Sequence, residues 1–182
     1  MTTVYDFNLK NKKGSEVSLS EYKGKVLLIV NTATGCGFTP QYEELEAIYK
    51  RLKEKGLEIL DVPCDQFGHQ APGSDEEIAE FCTMKFGTDF PQFQKSDVNG
   101  ANELPLYTWL KSQKGYAGGA YDEKLAAVME KLYNESNPEP RKQDDIQWNF
   151  TKFVVNREGE VVARFEPTAA LKEVESCIET LL

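Results

Sequence analysis

Few side chains in this sequence have reactive chemistry: four cysteines, Cys36, Cys64, Cys82 and Cys177, and one histidine, His69. Cys36 has the neighbours of a nucleophile. It stands in Asn31-Thr32-Ala33-Thr34-Gly35-Cys36-Gly37-Phe38-Thr39-Pro40, where an apolar run has ended and a helix is about to begin. A sulfur at a helix start meets free backbone N–H groups and the positive end of the helix dipole, and both favour the thiolate. The flanking glycines let the backbone come close without a Cβ. Free cysteines are usually inert packing groups, but this setting points to a reactive thiol. Dithiol exchange would need a second cysteine three positions on, where Thr39 stands, and a cysteine protease would have His69 as its one available base. A lone thiolate can instead attack the O–O bond of a hydroperoxide and become a sulfenic acid. That step needs neutral donors to hold the thiolate and the departing oxygen.

Such a thiol needs a scaffold. Residues 26–30 are apolar on both faces, as in a central strand covered by helices. Thr39-Pro40 opens a helix with Leu45, Ile48, Tyr49 and Leu52 in one stripe, Gly56 stops it, and residues 57–62 form the next strand, giving a βαβ unit. Alternating residues 4–9 and 17–19 about Asn11-Lys12-Lys13-Gly14 predict an N-terminal hairpin. A second helix starts at Ser74, with Glu77 completing a capping box, and ends at Gly87; Ile78, Phe81 and Cys82 share its apolar face. A short helix over 104–110 follows. A hairpin of 150–155 and 161–165 turns at Asn156-Arg157-Glu158-Gly159, and a last helix carries Leu171, Val174, Ile178 and Leu181. This order predicts an α/β fold of the thioredoxin type: a central mixed β-sheet flanked by helices, with an N-terminal β-hairpin. No linker or repeat interrupts residues 1–182, which read as one domain. The stretch 115–145 is a surface excursion with its own helical stripe (Leu125, Val128, Met129, Leu132), or else a lid or subunit contact.

The 182 residues are 40% hydrophobic and 28% charged, a globular balance. Twenty-one Lys+Arg against 30 Asp+Glu leave a net charge of −9, which argues against nucleic acid and anionic membranes as partners. One histidine argues against metal hydrolysis and histidine relays, and no metal or cofactor is expected. The N-terminal residues lack the pattern of a signal peptide, so the expectation is a soluble, cytoplasmic protein whose cysteines are free thiols or redox groups.

Two further segments carry a resemblance. Pro63-Cys64-Asp65-Gln66-Phe67-Gly68-His69-Gln70 and Trp148-Asn149-Phe150-Thr151-Lys152-Phe153, taken with the Cys36 loop, closely resemble the glutathione peroxidase family. The likeness runs from about Tyr5 to the final helix. It implies a thioredoxin fold and reduction of hydrogen peroxide or organic hydroperoxides without metal or haem. It also implies that Cys36 is the peroxidatic residue, where other members have selenocysteine, and that Gln70, Trp148 and Asn149 complete a catalytic tetrad. Amide and indole N–H donors stay neutral at any working pH, which suits that role; on their own these residues would read as a rim aromatic and turn amides. Gln66 matches as a support of its loop and Cys64 as a structural residue, while Cys177 receives no role. Glu80-Phe81-Cys82-Thr83 resembles the place where thioredoxin-dependent members keep a resolving cysteine, which implies a Cys36–Cys82 disulfide reduced by thioredoxin. Plain helix packing is the alternative for Cys82, and a packed Cys82 reaches Cys36 only if its helix partly unwinds. Glutathione as reductant, a peroxide sensor relaying oxidation to a partner, and an inert binding module remain open, as does the oligomeric state. Val62, Asp65 and Ala71 depart from the commonest family pattern. A charge on Asp65 aimed at the thiol would slow its attack, so it is expected to point away.

Overall fold

The computed structural model describes residues 1–118 and 122–182; Gly119, the last residue of the glycine-rich segment that opens the expected excursion, lies outside the described residues. Strands β1 (Asn8–Lys10) and β2 (Glu16–Ser18) form the N-terminal hairpin, with Leu9 opposite Val17. It is shorter than the alternation predicts. Residues Val4–Asp6 close a 3-10 turn instead, because Thr3 and Asp6 exchange side-chain-to-backbone hydrogen bonds that compete with strand pairing.

Strand β3 (Val26–Thr32), helix α1 (Gln41–Leu52) and strand β4 (Leu57–Pro63) make the expected βαβ unit, with β3 and β4 parallel and every residue of both strands buried. Gly56, at φ 113°, supplies the left-handed turn that admits β4. Helix α2 (Asp75–Phe86) begins where Ser74 Oγ accepts the Glu77 N–H at 3.2 Å and ends at the left-handed Gly87, as predicted. The capping box is half formed, since Glu77 Oε1 accepts from the Ser74 hydroxyl and not from its backbone N–H. Helix α3 (Pro105–Gln113) follows. The excursion holds α4 (Glu123–Ser136), whose stripe is split: Met129 and Tyr133 are buried, Leu125 and Val128 exposed. Strands β5 (Lys152–Val155) and β6 (Val161–Phe165) pair as a hairpin, and α5 (Leu171–Glu179) ends the chain's regular structure.

The main sheet runs β4-β3-β5-β6, with β5 antiparallel to β3 and β6; the N-terminal hairpin is a separate sheet. This is the helix-flanked mixed sheet expected of a thioredoxin-like fold. Side chains alternate across a strand, and on β5 Phe153 packs on Tyr107 of α3 while Lys152 reaches Gln41 of α1. The two helices therefore cover opposite faces. Helix α5 lies beside α1, where Arg51 forks onto Glu175. The outer edge of β4 is closed by residues 91–93: Asp61 N–H donates to Pro91 at 3.0 Å and Phe93 N–H to Asp61 at 2.8 Å, which removes an exposed strand edge.

This topology positions the site. With β3 and β4 parallel and β5 reversed, the C-terminal ends of β3 and β4 and the N-terminal start of β5 share one end of the sheet, as the pairs Thr32–Pro63 and Val30–Lys152 record. The segments of Cys36, Gln70 and Trp148-Asn149 all leave from that end.

Candidate active site

Cys36 sits 7% exposed in the turn after β3. Helix α1 begins at Gln41 with Pro40 as its N-cap, next to the expected Thr39-Pro40. The placing of Cys36 at the helix start is corrected, since Cys36 lies more than one turn ahead of it. Pro40 fixes its own φ, and bonds from Thr39, Gln41, Tyr42 and Glu43 N–H groups back to carbonyls three residues earlier build consecutive tight turns before the helix proper. The donor that reaches the sulfur is the Phe38 N–H, at 3.3 Å. Thr39 fills the place of a second cysteine structurally: its hydroxyl accepts the Cys36 N–H at 2.9 Å and donates to the Ala33 carbonyl at 2.8 Å, which clamps the loop.

Gln70 is joined to this loop through its backbone. Its carbonyl accepts the Gly35 N–H at 2.7 Å, and a Cβ on Gly35 would stand 3.1 Å from that oxygen. Here glycine is required by the close approach. The side chain of Gln70 meets Asn149, whose Nδ2 donates to Gln70 Oε1 at 3.2 Å. Asn149 is fully buried, and its Oδ1 has no partner among the described residues. Gln70 Nε2 likewise donates to no described residue, so the pair keeps one spare donor and one spare acceptor. A buried amide oxygen left unpaired costs about 1–3 kcal/mol.

Backbone strain holds this pair in place. The described non-glycine residues with positive φ are His69 (52°) and Phe150 (66°), which adjoin Gln70 and Asn149 in the chain. Each such conformation costs on the order of 1–3 kcal/mol and persists where surrounding contacts impose it. For Phe150 these are its N–H bond to the Asn31 carbonyl at 2.6 Å and a fully buried ring set edge-on to Tyr42. Asn31 Nδ2 also donates to the Trp148 carbonyl at 3.2 Å, tying β3 to the Trp148-Asn149 turn. Asn31 has a supporting role that the sequence reading did not pick out; a polar residue ending a wholly apolar strand was the available signal.

Trp148 is 4% exposed and packs on Phe67 at 5.5 Å, and Phe67 packs on Tyr133 of α4 at 5.6 Å. Asn137, just past α4, donates to the Gln66 carbonyl at 2.7 Å. The excursion is thus a buttress behind the loop that bears Gln70. Gln66 supports that loop as expected: its side chain accepts from the Val98 and Asn99 N–H groups and donates to the Asn99 carbonyl. Asp65 is spent on its own loop, taking the His69 ring at 2.9 Å and the Ala71 N–H at 3.0 Å. Burial pushes the Cys64 thiol up to about 12, which suits a packing role.

Cys82 stands apart from this group. It is 1% exposed on the inner face of α2, against Gln92 and close to Tyr42 and Asp61, and burial pushes its thiol up to about 11. Cys36 and Cys82 are both free thiols. Cys177 is half-buried on α5.

Comparison with known proteins places the chain among relatives of one family. The family model described as glutathione peroxidase matches residues 4–111. A glutathione peroxidase homolog of Neisseria meningitidis is 53% identical, covering 98% of this chain and 99% of its own. A glutathione peroxidase-like peroxiredoxin of Schizosaccharomyces pombe is 44% identical with both chains fully covered. The solved structure of Trgpx in its apo form superposes with a TM-score of 0.72 at 32% identity, over 99% of this chain and 95% of the other.

Proposed function

The chain belongs to the glutathione peroxidase family and is a thiol peroxidase that reduces hydroperoxides, and on that premise we propose that Cys36 carries the chemistry and Cys82 completes the cycle. The Cys36 thiolate attacks the terminal oxygen of a hydroperoxide ROOH. An S–O bond forms as the O–O bond breaks, the sulfur loses two electrons to become a sulfenic acid, and the departing alkoxide takes a proton and leaves as ROH. The carrying observation is the convergence of the Cys36, Gln70 and Trp148-Asn149 segments at one sheet end, with a spare amide donor on Gln70 and a spare buried acceptor on Asn149. Asn149 holds the Gln70 amide by its oxygen, which leaves the Gln70 N–H groups to donate. Neutral donors, the Phe38 N–H, the Gln70 amide and the Trp148 indole, steady negative charge without titrating.

The Cys82 thiol then attacks the sulfenic sulfur. An S–S bond forms, the S–O bond breaks, and the hydroxyl leaves with the thiol proton as water. A dithiol such as thioredoxin reduces the disulfide and is itself oxidised. The thin attachment of α2 supports this role: of its twelve residues, all described, Ile78 and Cys82 are the buried ones. Phe81 and Phe86 pack part of their rings on the core as well, and the rest of the helix faces outward, so its opening is a local event rather than global unfolding. The burial of Cys82 favours a second reading, in which α2 stays docked and glutathione captures the sulfenic acid as a mixed disulfide that a second glutathione releases.

The reading places the enzyme in the cytoplasm, where such reductants keep thiols free; no described helix is long and apolar enough to cross a membrane. Its test is peroxide consumption with a thioredoxin system beside glutathione plus its reductase. Turnover with thioredoxin and little with glutathione is expected. The reverse result would reduce Cys82 to packing, and one equivalent consumed without turnover in either system would favour a sensor.

A further inference from the structure

Beneath α2 lies a buried polar group that the peroxidatic step does not use. Asp61, in the middle of β4, is fully buried. Its Oδ1 accepts from the Thr32 hydroxyl of β3, and its Oδ2 accepts from the Tyr42 hydroxyl of α1 at 2.9 Å and from Gln92 Nε2 at 2.8 Å. Gln92 Nε2 also lies 3.5 Å from Cys82 Sγ. Three neutral donors surround the carboxylate, and no cation among the described residues contacts it. Cys82 and the underside of α2 close this cluster, while Ala79 and Thr83 of α2 line an open groove of about 630 Å³ that Gln92 shares.

We propose that Asp61 is a positioning residue of the resolving step: held against Cys82 by Tyr42 and Gln92, its carboxylate sets how readily α2 lets go and frees the thiol for the Cys36 sulfenic acid. The proposal rests on the reading of Cys82 as resolving cysteine. A buried charge without a counter-ion is unfavourable, and lifting Cys82 away admits water to it. An ionised Asp61 therefore favours the released helix, and a neutral one favours the docked helix.

The sign with pH follows. Burial raises Asp61 from 3.8 to about 6 in the docked state, against the three hydrogen bonds that lower it. A group raised in the docked state holds that state below its hydrated value, and this contribution disappears as pH rises through about 6. Release of α2, and with it disulfide closure, is faster at pH 7.5 than at pH 5. The other titratable groups facing the cluster are Tyr42 on α1, Cys82 on α2 and Tyr107 on α3. Burial pushes all three above their ordinary values, so they stay neutral across this range while α2 is docked; once released, the Cys82 thiol ionises increasingly as pH rises.

The experiment mixes reduced full-length protein with one equivalent of hydrogen peroxide between pH 5 and pH 8. It follows peroxide loss and, by acid quench and intact mass, the loss of two hydrogens that marks the Cys36–Cys82 disulfide. In the unaltered protein closure is expected to accelerate about tenfold or more from pH 5 to 7.5, with a midpoint near 6, since a two-unit shift allows up to about a hundredfold. Asp61→Asn is expected to be slow and to show only the rise that ionisation of the released Cys82 thiol gives, against which the midpoint of the unaltered protein is read. Tyr42→Phe removes one donor from the carboxylate and is expected to move the midpoint upward, and it decides the matter if Asp61→Asn does not fold. An unchanged midpoint in Tyr42→Phe, or a pH-dependent closure in Asp61→Asn like that of the unaltered protein, overturns the proposal and leaves Cys82 as resolver. Peroxide loss with no disulfide at any pH in the unaltered protein overturns the reading of Cys82 itself.

Discussion

Gln70 and Asn149 are joined by one hydrogen bond and each flanks a strained residue, so they act as a unit. Replacing either by alanine is expected to slow the first equivalent of peroxide consumption by roughly 10²–10³, the range for losing an aimed neutral donor. The double variant should be scarcely slower than either single one. Stopped-flow peroxide loss under single turnover checks both, and strictly multiplicative losses would show two independent groups. Cys36→Ser should consume none. His69 points its ring at Asp65 from an exposed position; His69→Ala is expected to change the same rate less than twofold, and a large loss would restore a base-assisted mechanism. At this scale the residue types were readable in the sequence, and the resemblance supplied their roles. The Asn149–Gln70 bond and the unpaired Asn149 oxygen were not, because they join residues 79 apart in the chain.

Helix α2 shows what an element's ends and faces decide. Ser74 and Gly87 were legible as its cap and its stop because capping is a local matter of one side chain and one backbone conformation. The start of α1 at Thr39-Pro40 was legible too, while the tight turns before Gln41 set Cys36 more than one turn ahead of it. Removing the cap by Ser74→Ala weakens α2 by about 1 kcal/mol, and closure of the Cys36–Cys82 disulfide is expected to accelerate severalfold, read by acid quench and mass. Slower closure would mean that the docked helix is the reactive one. Hydrogen exchange on the reduced protein should show α2 amides exchanging well ahead of those of the central strand β3, whose residues are all buried.

Lys152 reports on the molecule as a whole, since it lies fully buried between β5 and α1 with its ammonium on Gln41 Oε1. Burial lowers it from 10.5 to about 7, against Glu166 and Glu44, which raise it. The unfolded chain therefore binds more protons than the native one between about pH 7 and 10.5, and this group's contribution to stability rises with pH across that window. At about 1.4 kcal/mol per pH unit the rise has an upper limit of about 5 kcal/mol. Urea unfolding of Lys152→Met is expected to lack that rise and to match or exceed the original protein at neutral pH; a parallel alkaline rise in both would remove Lys152 as its source. By itself the sequence determined the order of elements, the capping residues and the place of Cys36 between β3 and α1, because periodicity, caps and glycines act over a few neighbouring residues. Only the tertiary structure decided that α4 buttresses the Gln70 loop through Tyr133 and Phe67, that Gln92 bridges Asp61 and Cys82, and that Lys152 lies between sheet and helix. Those contacts arise when strands far apart in the chain pair side by side, and burial then changes what a carboxylate, thiol or amine can do.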